Sequence, residues 1–373
     1  MAPRAVYVHV PFCAARCPYC NFTVVADRGD LVDRYLEAIE RELSWLGGPH
    51  EVDTLFVGGG TPTQLPPEAM RRLLLAVRRW FRVADGYEWS VEANPLDLTE
   101  TMADVLAEGG VNRVSLGVQS FDAGKLVTLG RDHRPPQVEQ ALAIARERFA
   151  ALAVDLIFGV PGETLATWRD DLAAVVQSGA NHVSTYGLTY ERGARFWSLR
   201  RQGRLTPIDE STELAMYEQA VDALTAAHLA HYEVSNFARA GFRCRHNAVY
   251  WNGGEYFAVG PGAARHVAGR RETNHRSTTT YLRRVLAGDS PVAESEQLSP
   301  EQRAREALVF GLRQLDGVDA AAFAARTGFT IERLVGAVLP AHVEQGLLAF
   351  NGDRLRLTRR GLLVSDSIWP GFL

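Results

Sequence analysis

The chain has four cysteines in 373 residues, Cys13, Cys17, Cys20 and Cys244, too few for a disulfide framework. It has a single lysine, Lys125, every other basic residue being arginine. That bias is assigned to the source, and no function follows from it. No apolar run reaches the length needed to cross a membrane. The stretch from Ala5 to Phe12 is broken by His9 and lacks the length and cleavage chemistry of a signal peptide. A net charge of −4 gives no electrostatic case for nucleic acid or an anionic membrane as principal partner. What remains is a globular composition, 46% hydrophobic and 23% charged. The length exceeds one ordinary core, so a large domain and a small one are expected, in a reducing cytoplasm.

Three of the cysteines are spaced C-x3-C-x2-C. That is one thiolate too few to fill a [4Fe–4S] cluster, whose irons normally take four. An iron without a protein ligand can bind a small molecule, and the spacing suggests S-adenosylmethionine (SAM). A zinc site with Cys244 as fourth ligand is the other reading, although zinc ligands usually come as two C-x2-C knuckles and Cys244 has no partner knuckle.

Apolar strand-like runs alternate with helical periods. Strands are expected at 6–10, 54–57, 88–92, 113–117, 152–157 and 182–189, with helices at 31–46, 67–81, 99–108, 137–146 and 165–178 between them. This argues for an α/β fold with a parallel sheet: a partial (β/α)6 TIM-like barrel, since no phosphate fingerprint follows the first strand. Barrel chemistry sits at strand C-termini. The cysteines follow strand one, Gly58-Gly59-Gly60-Thr61-Pro62 follow strand two, and Glu92 ends strand three. Gln119 lies just past strand four and Asp155 near the end of strand five.

Residues 1–236 are expected to form the barrel, 237–298 an aromatic and glycine-rich connecting segment, and 299–373 a small domain. In the last, helices at 301–315, 319–327 and 331–344 precede strands at 347–350 and 355–358, a winged-helix-like order. Its charge is near balance, which favours protein contact or site covering over DNA binding. The triple glycine frees backbone N–H groups and lets a ligand approach without a Cβ between them. Glu92 could accept from a ligand amine or ribose hydroxyl.

The cysteine triplet with Gly-Gly-Gly-Thr-Pro resembles the radical-SAM superfamily. Val114–Asp122, VSLGVQSFD, and Asp155–Glu163, DLIFGVPGE, resemble its branch containing oxygen-independent coproporphyrinogen oxidases. The resemblance implies a cluster on Cys13, Cys17 and Cys20, reduced by an electron donor, with SAM on its open iron. It also implies that Tyr7, Tyr19, Gly59, Gly60, Thr61, Glu92, Gln119, Arg131 and Asp155 contact these cofactors.

Two features depart from the oxidases. Their fourth cysteine, two residues after the third, is Phe22 here, and the first cysteine comes as early as residue 13. Both resemble the HemW group of heme chaperones, as do His246-Asn-Ala-Val-Tyr-Trp251 and the C-terminal segment 306–318. That likeness implies heme as ligand, His246 as its contact and a heme-acceptor protein as partner. Cys244 is an alternative iron ligand and His266 a weaker candidate. The rival reading is a radical-SAM enzyme, a porphyrinogen decarboxylase or a methyl-transferring relative.

Overall fold

In the computed structural model, which describes residues 2–373, six strands run parallel in sequence order: β1 (Ala5–Val10), β2 (His50–Gly59), β3 (Phe81–Ala93), β4 (Arg113–Gln119), β5 (Ala151–Phe158) and β6 (His182–Gly187). The crossovers carry α1 (Val32–Ser44), α2 (Pro67–Trp80), α3 (Glu100–Glu108), α4 (Ala123–Thr128), α5 (Pro135–Arg148) and α6 (Leu165–Gln177). Helix α1 places Leu36, Ile39 and Leu43 on one face, buried against Val6, Val8, Leu55 and Val57. Alternate strand residues turn the other way, so Tyr7, Phe56, Ser90, Glu92, Ser115 and Asp155 line the concave face. The sheet is the expected partial barrel and stays open.

The segment 237–298 is more than a connector. After α7 (Arg195–Arg201) and α8 (Glu210–Ala226), strands β7 (Ala230–Glu233) and β8 (Asn236–Ala238) extend the sheet past β6, β8 antiparallel to β6 and β7 antiparallel to β8. Helix α9 (Arg245–Trp251) follows, and β9 (Phe257–Val259) then pairs in parallel with β1. The sheet therefore has nine strands, with β9 and β7 at its edges. Helix α10 (Thr278–Ala287) is tied to α1 by the buried carboxylate of Glu42, which accepts from Tyr281 Oη at 2.6 Å, Asn274 Nδ2 at 2.7 Å and the Gly260 amide at 2.9 Å. The expected boundary is thus corrected in two places: residues 237–238 and 257–259, assigned to the connecting segment, are strands of the barrel sheet.

The small domain has its own core, with Leu308, Leu312, Phe323, Ile331, Leu355 and Phe372 among the buried residues. Helix α11 (Pro300–Leu312) opens with a capping box on Ser299, and α12 (Ala320–Thr327) is capped by Asp319. The expected single helix 331–344 is two, α13 (Ile331–Val335) and α14 (Leu339–Glu344), divided at Gly336 ahead of Pro340. Three short strands complete the domain, in the order Val318–Asp319, Arg354–Leu357, Leu348–Phe350.

Candidate functional site

The cysteines occupy one loop after β1. All three thiols are free and partly exposed. Each touches a different polar group: Cys13 Sγ lies 3.6 Å from Thr61 Oγ1, Cys17 Sγ takes Arg131 Nη1 at 3.4 Å, and Cys20 Sγ takes the Phe22 amide at 3.4 Å. Burial pushes the Cys13 thiol up to about 11 and raises that of Cys20. Bound iron would replace the protons and remove that penalty. Among the described residues no three His, Cys, Asp or Glu side chains converge on one metal ion. A cubane does not need them to, because each sulfur grips a different iron.

Cys244 lies elsewhere. Its sulfur is 3.6 Å from Glu88 Oε1, which pairs with Thr54 at the opposite mouth of the barrel. It cannot complete a four-cysteine zinc site with the loop after β1, and that reading is set aside.

The glycine loop is built differently from the expectation. Its amides are already used: Gly59 N–H donates to Glu92 Oε2 at 2.9 Å, Gly60 N–H to Val10 O at 2.8 Å and Thr61 N–H to Phe12 O at 2.7 Å. The glycines serve close approach instead. A Cβ on Gly58 would stand 2.8 Å from Glu92 Oε2, one on Gly59 2.5 Å from His9 Cε1, and one on Gly60 2.6 Å from Phe12 O. Gly59 also has φ +114°, a conformation side chains disfavour. The loop is therefore zipped onto the strand that leads into Cys13.

The other expected positions converge on the same end of the barrel. The register places Val10 beside Gly59, Val57 beside Val91, and Glu92 beside Ser115. Burial, with the charge of Asp155 nearby, pushes the Glu92 carboxyl up to about 7. Asp155 accepts from Ser115 Oγ at 3.2 Å, and burial raises its pKa too. Tyr7 Oη contacts His9 Nδ1 at 2.9 Å, while His9 Nε2 faces the Thr23 carbonyl at 2.8 Å and so carries the proton. Gln119 is the last residue of β4, not past it, and is held at φ +66°. Tyr19 packs beside Phe196, near Arg131.

Arg131 is the side chain that most needs a partner. Its Nη2 donates to Asn94 Oδ1 and Gly117 O, both at 3.1 Å; among the described residues its Nη1 meets only the Cys17 sulfur and its buried Nε has no partner. A buried guanidinium served by neutral oxygens and a sulfur suits a ligand carboxylate or a cluster of negative charge. Sequence reasoning missed Asn94, two residues after Glu92. Asn94 Oδ1 also contacts His133 Nδ1 at 3.2 Å, which joins the third and fourth strand ends. The donor set thus fits a [4Fe–4S] cluster with SAM beside it.

His246 is a different matter. It lies on α9 at the N-terminal mouth of the barrel and is fully buried. Its Nδ1 is 3.0 Å from Thr54 Oγ1, its Nε2 is 2.8 Å from Tyr250 Oη, and its ring stacks on Phe56 with centroids 5.2 Å apart. Burial alone pushes its pKa down to about 3. Glu88 fixes the helix start, accepting from the amides of His246 at 3.0 Å and Arg245 at 3.1 Å. Thr54 pairs with Glu88 across β2 and β3, four residues before Gly58. At a rise of about 3.3 Å per residue, α9 sits roughly 13 Å below the glycine loop. With both ring nitrogens engaged, the seated His246 offers no site to heme iron. His266, partly exposed on the strand Ala264–Val267, packs edge-on against Tyr256.

A family model described as the radical SAM superfamily matches residues 7–175, and one described as the HemN C-terminal domain matches residues 298–364. The first implies an iron–sulfur cluster and SAM. Among solved structures, coproporphyrinogen III oxidase (HemN) from Escherichia coli, titled a radical SAM enzyme, has a TM-score of 0.88 at 22% identity. That match covers 100% of this chain and 90% of the other. Such a likeness speaks for the fold. The heme chaperone HemW of Mycobacterium tuberculosis is 37% identical, over 98% of this chain and 94% of its own. HemW of Bacillus subtilis is 34% identical over 99% of both. Similarity at that level, running from the cysteine loop through α9 to the small domain, shows that the chain belongs to the HemW family of the radical SAM superfamily.

Proposed function

We propose that the protein binds heme and passes it to an acceptor protein, with a [4Fe–4S] cluster on Cys13, Cys17 and Cys20 and SAM beside it. The observation that carries this reading is end-to-end similarity to proteins named as heme chaperones. The geometry adds support at the cluster end. Three free thiols share a loop, an unsatisfied guanidinium stands beside one of them, and Glu92 and Asp155 supply acceptors across the lumen.

A reduced cluster with SAM bound supplies one-electron cleavage of the sulfonium. The chain's own part is to hold and shield. Cys13, Cys17 and Cys20 would ligate three irons, Arg131 would neutralise charge at Cys17, and Glu92 would take the ligand amine. Tyr7, Gln119 and Asp155 would line the cavity. A groove of about 800 Å³ opens beside Cys13, lined by Phe12, Asp27, Arg28 and Arg72 among others, and would give an electron donor a route to the cluster. A cluster of this kind calls for a reducing compartment, which fits the cytoplasm. His246 enters this reading only with α9 displaced.

The test is anaerobic reconstitution with iron and sulfide, then hemin titration of wild type and His246→Ala. One heme per chain, with weaker binding in the variant, supports the proposal and gives His246 a part. Identical spectra and affinity remove His246 from the heme site. The intact set of SAM positions favours a second reading, a radical-SAM enzyme. Steady decarboxylation of coproporphyrinogen, with 5′-deoxyadenosine released, would replace the chaperone reading with that one.

A further inference from the structure

The chain's one lysine is buried. Lys125 Nζ donates to Glu163 Oε1 at 2.5 Å and to Asp171 Oδ2 at 2.8 Å, and stands 4.9 Å from the centre of the Trp168 ring. Asp171 also accepts from the Phe121 amide at 2.6 Å and from Ser120 Oγ at 2.8 Å, while Glu163 accepts from the Val160 amide at 2.9 Å. One ammonium therefore joins three pieces of chain: α4, the turn after β5, and α6. An ion pair this deep is stable only when every partner is satisfied, and here both carboxylates are.

The shape of the site explains why the residue is not arginine. Two carboxylates and an aromatic face converge on a point, which suits a compact ammonium and not a broad planar guanidinium. In a chain that uses arginine at every other basic position, the exception falls where geometry requires it.

What the ammonium fastens leads directly to the cofactor end. Gln119, held at φ +66°, immediately precedes Ser120 and Phe121, the two residues gripped by Asp171. At the other end of α4, Leu129 packs with Val160, Ile157 and Tyr19 in a small separate core. Gly130 abuts the cysteine loop, where a Cβ would stand 2.8 Å from Pro18 Cδ. Arg131 follows, and reaches Cys17 Sγ.

We propose that Lys125 is a positioning residue of the SAM site: its buried ammonium fastens the segment from Gln119 to Arg131 so that both side chains meet the ligand. This rests on Gln119 and Arg131 being SAM contacts. Lys125 itself touches neither cofactor nor thiol.

The experiment uses reconstituted full-length protein and reads SAM affinity by equilibrium dialysis, and the change in the reduced cluster's electron paramagnetic resonance when SAM is added. Lys125→Arg keeps the charge but not the fit. It is expected to keep iron content and the cluster's spectrum without SAM, and to bind SAM at least tenfold more weakly. Glu163→Gln leaves Asp171 to hold the lysine and guards against a misfolded first variant; a loss of two- to fivefold is expected. A structural role alone would lower melting temperature and leave affinity at 10 °C unchanged, and that result in both variants would overturn the proposal. Arg131→Ala is run in parallel. If it binds SAM like wild type, the site reading fails independently of Lys125.

Discussion

Replacing Glu92 with glutamine tests the electrostatics of the barrel lumen. The carboxyl lies across from Asp155, with Tyr7, Tyr186 and Tyr250 around it, and accepts one hydrogen bond, from the Gly59 amide. Its folded pKa of about 7 stands above the ordinary 4.5. Between those two values the native state keeps a proton that the unfolded chain has released. Stability therefore falls as pH rises through that window, and levels off above about 7. At about 1.4 kcal/mol per unit, and allowing for water in the lumen, the loss is on the order of 2–3 kcal/mol. Glutamine keeps an acceptor for Gly59 and carries no charge. The apo variant should match wild type near pH 4.5 and exceed it by about 2–3 kcal/mol at pH 8. Other buried groups titrate in both proteins, so the difference between two urea-unfolding series, pH 4.5 to 8, isolates this carboxylate. Parallel series would show that Glu92 ionises freely, and would remove the case for an acceptor site tuned to a cationic ligand.

Gly59→Ala drives a methyl to 2.5 Å from the His9 ring, which Tyr7 and Thr23 hold in place, at a backbone φ of +114°. Strain and overpacking together should cost about 2–5 kcal/mol, read by urea unfolding, and a loss below about 0.5 would mean the loop can move aside. Replacing Cys13, Cys17 or Cys20 by serine should abolish the brown colour and acid-labile sulfide of reconstituted protein. Cys244→Ser should spare both, and discharge of metal from that variant would revive a four-cysteine site.

How much of this was visible in the sequence depends on how far each contact reaches. The cysteine triplet and the strand–helix alternation act locally, and they gave six strands and the cluster loop. Strand β3 starts at residue 81, before the expected 88, and runs straight through Asp85-Gly86, with a register shift against β2 nearby. The strands Asn236–Ala238 and Phe257–Val259 have three residues each, too few to show a period, and are strands because β6 and β1 present open edges. The glycine loop revealed its composition but not its bonding, since its partners Val10, Phe12 and Glu92 come from two other strand ends. The Lys125 network joins residues 46 positions apart and leaves no pattern in the chain.

His246, which the sequence marks as a ligand, is used by the fold as a plug. Freeing Nε2 for iron breaks the bond to Tyr250. Withdrawing α9 also breaks those to Thr54 and the two amide bonds to Glu88, leaving that carboxylate buried with Arg113 at 3.7 Å. Two neutral bonds at about 1 kcal/mol each and two to a charged group at about 1.5–3 kcal/mol each sum to roughly 5–8 kcal/mol. A micromolar ligand supplies only about 8 kcal/mol in all. Ligation by a withdrawn His246 should therefore be slow and should expose α9. Hydrogen exchange at residues 245–251 should rise when hemin is added to reconstituted protein. Tight, fast heme binding with those amides still protected would place the iron on another side chain, and leave His246 as the residue that closes the floor of the barrel.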